Sequence, residues 1–148
     1  MRQQIEGVDD QGPWIAAALF CDAVIEDEVG ARTLVRLHQG GEFFDAQKAT
    51  AYGEPVIFLS FVGGPRRGRF SVEVIGHLPG RLPQQVGVFD IAFDGPGSGH
   101  DVFGPVRIAA DTEGIALFDV VIEGRILTQM AYRILHVSER RAVSDAVR

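Results

Sequence analysis

The sequence predicts an all-β chain, an antiparallel two-sheet β-sandwich of about eight strands. Three observations carry that expectation. Short runs of Val, Ile, Leu and Phe recur along the chain, separated by Gly, Pro and Asp clusters at hairpin spacing. Eighteen Gly and seven Pro in 148 residues exceed ordinary usage, as a turn-rich β protein requires. No long stretch carries a helical apolar period, and no fixed internal repeat points to a propeller or solenoid. A closed barrel is the alternative architecture.

Each element follows from local pattern. Residues 14–25 form the first apolar run, closed by Asp27, Glu28, Val29 and Gly30. Residues 31–38 form the second, closed by Gly40 and Gly41, and the two make a hairpin. Residues 39–54 are weakly patterned and suit a long crossover between sheets or one helical turn. The third run, 55–62, is apolar except for Ser60, as a central strand covered on both faces or a strand at a sheet corner would be. Residues 69–75 alternate, with Phe70, Val72 and Val74 inward and Ser71 and Glu73 outward. The fifth run, 86–93, ends in the flexible turn 94–99. The sixth, 102–110, is broken by Gly104 and Pro105, so it is bent or at an edge. Asp111 to Gly114 then connect to 115–122, and Glu123-Gly124 leads into 125–137, the strongest local hairpin signal. The expected domain is 14–137. Residues 1–13 and 138–148 are expected to be weakly ordered, the tail having a second place for a short helix.

Composition excludes several function classes. With 46% apolar residues the chain has material for a core, so extensive disorder is excluded. Fourteen Lys and Arg against 20 Asp and Glu give a net charge of −6, which argues against a nucleic-acid binder or a membrane-surface protein. One cysteine, Cys21, permits neither an internal disulfide nor a multi-thiol metal site. The apolar run at 15–21 follows Asp9 and Asp10 rather than a basic segment, so a signal peptide is not expected, and Phe20 before Cys21 argues against lipidation. No stretch approaches the ~18 apolar residues of a membrane helix. A soluble, cytoplasmic protein is expected.

Leu19-Phe20-Cys21-Asp22-Ala23-Val24-Ile25-Glu26, a charged turn and Thr33-Leu34-Val35-Arg36-Leu37 resemble the opening of a family of small bacterial proteins, domain-of-unknown-function family six-nine-four-one. The closing Glu123-Gly124 turn and the strand Ile126-Leu127-Thr128-Gln129-Met130-Ala131-Tyr132-Arg133-Ile134 resemble that family's end, and the likeness covers most of residues 15–137. The chain departs from the pattern at His38-Gln39-Gly40-Gly41, where a more apolar continuation is expected. The resemblance implies a bacterial β-sandwich, and brings no activity and no site residues.

Candidate chemistry is sparse. Arg66, Arg67 and Arg69 form the one basic cluster, able to grip a carboxylate, a phosphate or a partner surface, or simply to protect the adjoining strands from edge pairing. Asp94, Ser98, His100 and Asp101 bracket a Gly-rich connection that offers loop contacts but lacks the ligand spacing of a calcium loop and the Lys of a phosphate-binding loop. Phe43 and Phe44 are the best candidates for an exposed aromatic patch, with Trp14 and Tyr52 more suited to the core. Cys21 reads as a buried structural thiol. Asp90 and Asp119 sit within apolar strands, where alternation turns each toward solvent and nothing brings them together. His38, His77, His100 and His136 are too dispersed to predict a metal site. No catalytic residue, metal or cofactor is assigned. The leading expectation is a non-enzymatic ligand- or protein-binding module, with homo-oligomerisation compatible. The alternatives are a small hydrolase or isomerase whose Asp and His residues meet in three dimensions, and a structural subunit of a larger assembly.

Overall fold

The computed structural model describes residues 11–38, 42–45 and 52–137, with the backbone alone for 42–45 and 137. The described residues form eleven strands and no helix. These are β1 (Trp14–Glu26), β2 (Arg32–Leu37), β3 (Glu42–Asp45), β4 (Tyr52–Gly53), β5 (Val56–Val62), β6 (Gly68–His77), β7 (Gln84–Phe93), β8 (Gly99–Pro105), β9 (Ile108–Ala109), β10 (Gly114–Ile122) and β11 (Arg125–Val137). The eight expected strands are all present. Two of the three additional ones, β3 and β4, arise within the weakly patterned crossover, and the helical turn considered there lies outside its described residues. The third, β9, arises because Pro105 ends β8 and the run resumes at Ile108. The considered tail helix, like residues 1–10, falls outside the described residues.

One sheet runs β2-β1-β5-β8 and the other β3-β11-β10-β6-β7, with β4-β9 as a separate ribbon. All pairings are antiparallel except that of β3 with β11. Alternation decides what fills the space between the sheets. The four-stranded sheet contributes Phe20, Ile57, Leu59 and Phe61. The five-stranded sheet contributes Phe70, Val72 and Val74 of β6, Phe118 and Val120 of β10, and Met130, Tyr132 and Ile134 of β11. Phe20 meets Phe118 and Tyr132 edge-on, with ring centroids 5.2 and 5.0 Å apart, a geometry that adds to area burial because ring edges are positive and faces negative.

The two long sides of the sandwich differ. Where β7 and β8 approach, the Ala92 N–H and C=O lie 3.1 and 3.3 Å from His100 Nδ1, tying the two sheet edges together. On the other side, β1 has β5 on one flank and gains β2 on the other only from Cys21 onward. There β11 has β10 on one flank and gains β3 only from Ile134 onward. Among the described residues, no strand fills the gap between β1 and β11.

Candidate functional site

That gap is a cleft of about 280 Å³, walled by residues 18–20 of β1, by Leu37 and His38 at the end of the first hairpin, and by residues 128–131 of β11. The His38 N–H donates to the Phe20 carbonyl at 2.9 Å, which closes the hairpin at its base. The imidazole is almost fully buried, with Nε2 2.6 Å from Asp22 Oδ1 and Nδ1 3.0 Å from the Tyr132 hydroxyl. Asp22 also accepts from Arg36 Nε at 2.5 Å and Nη2 at 3.0 Å. The Arg36 hydrogen bonds, reinforced by that of His38, hold the Asp22 carboxyl down at about 2. An ionised Asp22 can only accept, so His38 Nε2 carries a proton toward it, and in the neutral imidazole Nδ1 then accepts from the buried Tyr132 O–H. The result is a hydrogen-bonded chain running from the surface Arg36 into the core, with every member oriented by the next.

A second network lies on the outer face of the five-stranded sheet. Asp119 turns away from the core, as alternation predicts, but it is buried rather than solvated. Gln129 stands directly opposite it on β11 and donates to Oδ1 at 2.8 Å, while His77 of β6 brings Nε2 to 2.7 Å from Oδ2. An inner strand has neighbours on both flanks, and here both flanks carry long polar side chains that close over the carboxylate. Burial pushes the Asp119 carboxyl up, but the bonds from Gln129 and His77 outweigh it and hold the group below its ordinary value. Asp90 is exposed, opposite Ser71 of β6, whereas Asp119 stands opposite Ile75 on the other flank of that strand, so the two carboxylates do not meet.

The residues singled out from sequence are dispersed. Arg66 forms a two-pronged bond to Glu123, at 2.7 and 2.8 Å, with its guanidinium 5.0 Å from the centre of the Phe70 ring. An incoming anion would have to displace that carboxylate. Arg67 packs beside Gly95, and Arg69 is exposed on β6 opposite Ala92. Asp94 is exposed. The Ser98 hydroxyl donates to the Gly95 carbonyl at 2.7 Å, and Gly63 bonds Gly97 and Ser98 through its own C=O and N–H, so this connection is strapped to the β5 end. His100 and Asp101 lie on β8, where with Arg32 and Gly99 they border an open hollow of about 460 Å³. Phe43 and Phe44 pair in register with Leu135 and His136, their side chains lying outside the described residues. Trp14 and Tyr52, read as core residues, are both partly exposed, and Arg107 covers the Tyr52 ring at 4.0 Å.

Cys21 is fully buried, and burial pushes its thiol up. His136 Nε2 lies 2.6 Å from the Ala110 carbonyl. Among the described residues, no three His, Cys, Asp or Glu side chains gather in a metal-binding arrangement, and no helix is long and apolar enough to cross a membrane.

Sequence reasoning missed Asp22, Tyr132 and Arg32. The Asp22–His38, Arg32–Asp101 and His38–Tyr132 contacts join residues 16, 69 and 94 positions apart along the chain, and only strand register brings them together.

No protein-family model matches the sequence, and no curated protein matches it. Among solved structures, the chain is similar to part of β-glucosidase 3B from Thermotoga neapolitana, solved in complex with glucose. The identity is 12% and the TM-score 0.47, over 59% of this chain and 16% of that one. It is likewise similar to part of a β-glucosidase from Kluyveromyces marxianus, at 13% identity and a TM-score of 0.46 over 58% of this chain and 14% of that one. The matched segment is thus a small fraction of each enzyme, and a likeness of this extent carries no argument for activity.

Proposed function

We propose that the chain is a non-enzymatic binding module that takes an extended segment of a protein partner into the cleft between β1 and β11. One observation carries this reading: the β1 edge at Ala18 and Leu19 and the β11 edge at 128–131 flank a common cleft, and no described strand pairs with either edge there. Each edge offers main-chain N–H and C=O groups to an incoming strand, the basis of recognition by strand addition. Ala18 and Ala131 leave space, Leu37 and Met130 supply apolar contact, and Thr128 supplies a hydroxyl. The resemblance of residues 15–137 to the bacterial family named above is part of this proposal and adds no activity to it.

The acid–base alternative would have to use the Asp22–His38–Tyr132 chain. Both imidazole nitrogens are already engaged there and the phenol is wholly buried, which favours a wall that shapes the cleft over a group that attacks a substrate. The test is selection of peptides from a displayed library against the intact chain, followed by calorimetry of one selected peptide with wild type, Leu37→Asp and Ala131→Arg. Both side chains are partly exposed on the cleft wall, so the variants should keep the wild-type circular dichroism while binding weakens roughly tenfold or more. Equal affinity for all three proteins, or a library that yields no binder, would refute the reading.

A further inference from the structure

The first hairpin reaches a place that a flat extension of its sheet could not. Cys21 stands opposite both Leu37 of β2 and Val56 of β5, and Val56 stands opposite Pro105 of β8. Arg32 lies opposite Glu26, five positions beyond Cys21, whereas Asp101 lies four positions before Pro105 in the contrary direction. In a flat sheet those offsets would separate the two residues by roughly 30 Å along the strands. Arg32 Nη1 is nonetheless 2.5 Å from Asp101 Oδ2, so the hairpin is folded back across its own sheet.

The face it covers follows from the same register. Ile57 and Leu59 point into the core, so Phe58 between them points out, and Phe103 stands directly opposite Phe58 on β8. The two rings stack at 6.5 Å, and the Arg32 guanidinium lies 5.4 Å from the centre of the Phe103 ring. Phe58 is only 9% exposed although it faces away from the second sheet. Cys21 marks the point where β1 leaves β5 for β2, and the next pair, Asp22 and Arg36, interrupts the ladder, Arg36 having a φ of +49°. A non-glycine residue in the left-handed region marks a local break in strand geometry.

We propose that the hairpin spanning 23–35 is a flap hinged at the Asp22–Arg36 pair and latched over the outer face of the four-stranded sheet by Arg32, and that releasing the latch uncovers Phe58 and the covered part of the already partly exposed Phe103. The latch consists of the Asp101 carboxylate and the Phe103 ring, while Glu26, 3.7 Å from Arg32 Nε, steadies the guanidinium from within the hairpin. An ion pair that is one-quarter exposed, together with one cation–π contact, makes a weak fastening that salt can loosen. The flap therefore opens far more readily than the domain unfolds. This inference needs no partner in the cleft.

Thiol labelling tests it. Cys21 is a natural probe at the hinge, and Ser60→Cys in a Cys21→Ala background places a second probe on the covered face, opposite Asp101. Arg32→Ala should raise the labelling rate at one or both sites roughly tenfold, the combined weight of the two contacts, and Asp101→Asn, which removes the ion pair alone, roughly threefold. Arg81→Ala, which removes an ion pair with Asp111 in other loops, should leave the rates at the wild-type value. Urea unfolding of each variant gives the globally unfolded fraction. The proposal fails if neither probe responds, if only one of the two latch variants has an effect, or if the rise equals that fraction.

Discussion

Replacing His77 by Ala removes one of the two groups that hold the buried Asp119 carboxylate. The carboxylate keeps Gln129 at 2.8 Å and loses the imidazole at 2.7 Å. A hydrogen bond to a charged group is worth about 1.5–3 kcal/mol when its loss leaves the charge unsatisfied. The His77 side chain is 38% exposed, however, so water can take its place and the expected loss falls to about 1–2 kcal/mol. Urea unfolding at neutral pH, followed by far-ultraviolet circular dichroism, measures this directly. The double variant His77→Ala/Asp119→Ala separates the interaction from lost packing, because removing His77 should cost much less once no carboxylate depends on it. The acid limb supplies an independent check. Asp119 is held below its unfolded value, so its contribution is present above the unfolded carboxylate pKa and is lost as pH falls through the folded one. Without His77 the folded value moves up toward the unfolded one, so that loss should be smaller and be complete at higher pH. If His77→Ala changes stability by less than about 0.3 kcal/mol, or costs as much in the Asp119→Ala background as in wild type, the network does not hold the carboxylate as argued.

Other outcomes follow from single sites. Phe118→Ala removes a fully buried ring that meets Phe20 edge-on, and should cost about 3–5 kcal/mol by urea unfolding, more than Phe118→Leu. Asp22, held at about 2 by Arg36 and His38, contributes stability that is intact above pH ~4 and drains away toward pH 2. Asp22→Asn should flatten that part of the stability profile, and an unchanged profile would remove the Arg36–Asp22–His38 chain from the account. Gly124 has a φ of +76° with open space where a Cβ would stand, so Gly124→Ala should cost roughly 1–2 kcal/mol through backbone strain alone, without disturbing the core.

What was legible from sequence divides along a physical line. Period-two alternation exposes a strand wherever one face is buried and the other wet, as in the Phe70, Val72, Val74 series, and Gly-Pro punctuation marks where it ends. Both are local signals, and they located every strand that carries the main core. β3 and β4 escaped because strands of four and two residues are too short to alternate visibly. The polar networks escaped for another reason: alternation gives the side a residue faces and not what stands beside it. Asp119 was assigned to the outer face correctly and to solvent wrongly, because its cover comes from residues aligned by the registers of two neighbouring strands. His38 was placed at the end of a strand with no hint that Asp22 and Tyr132 would flank it. The basic cluster at Arg66 illustrates the converse, since a concentration of charge in sequence was divided in space by a single glutamate from another hairpin.

Cleft and flap are joined through two residues. Leu37 and His38 directly follow the hinge and also wall the cleft, so a displacement of the hairpin about Arg36 changes the shape of the cleft. If a peptide binds better to one flap position than to the other, linkage requires that the flap respond to the peptide by the same factor. The prediction is quantitative. The change in the closed-to-open ratio of the flap, read from thiol labelling at Ser60→Cys with and without saturating peptide, must equal the ratio of the peptide's dissociation constants for the open and closed forms. Arg32→Ala, which populates the open form, gives access to the open-form constant by calorimetry. A latched flap that shapes the cleft should yield a factor well away from one in both measurements. A factor of one in both would show two independent devices sharing a hairpin, and unequal factors would mean that the labelling and the binding do not report the same pair of states.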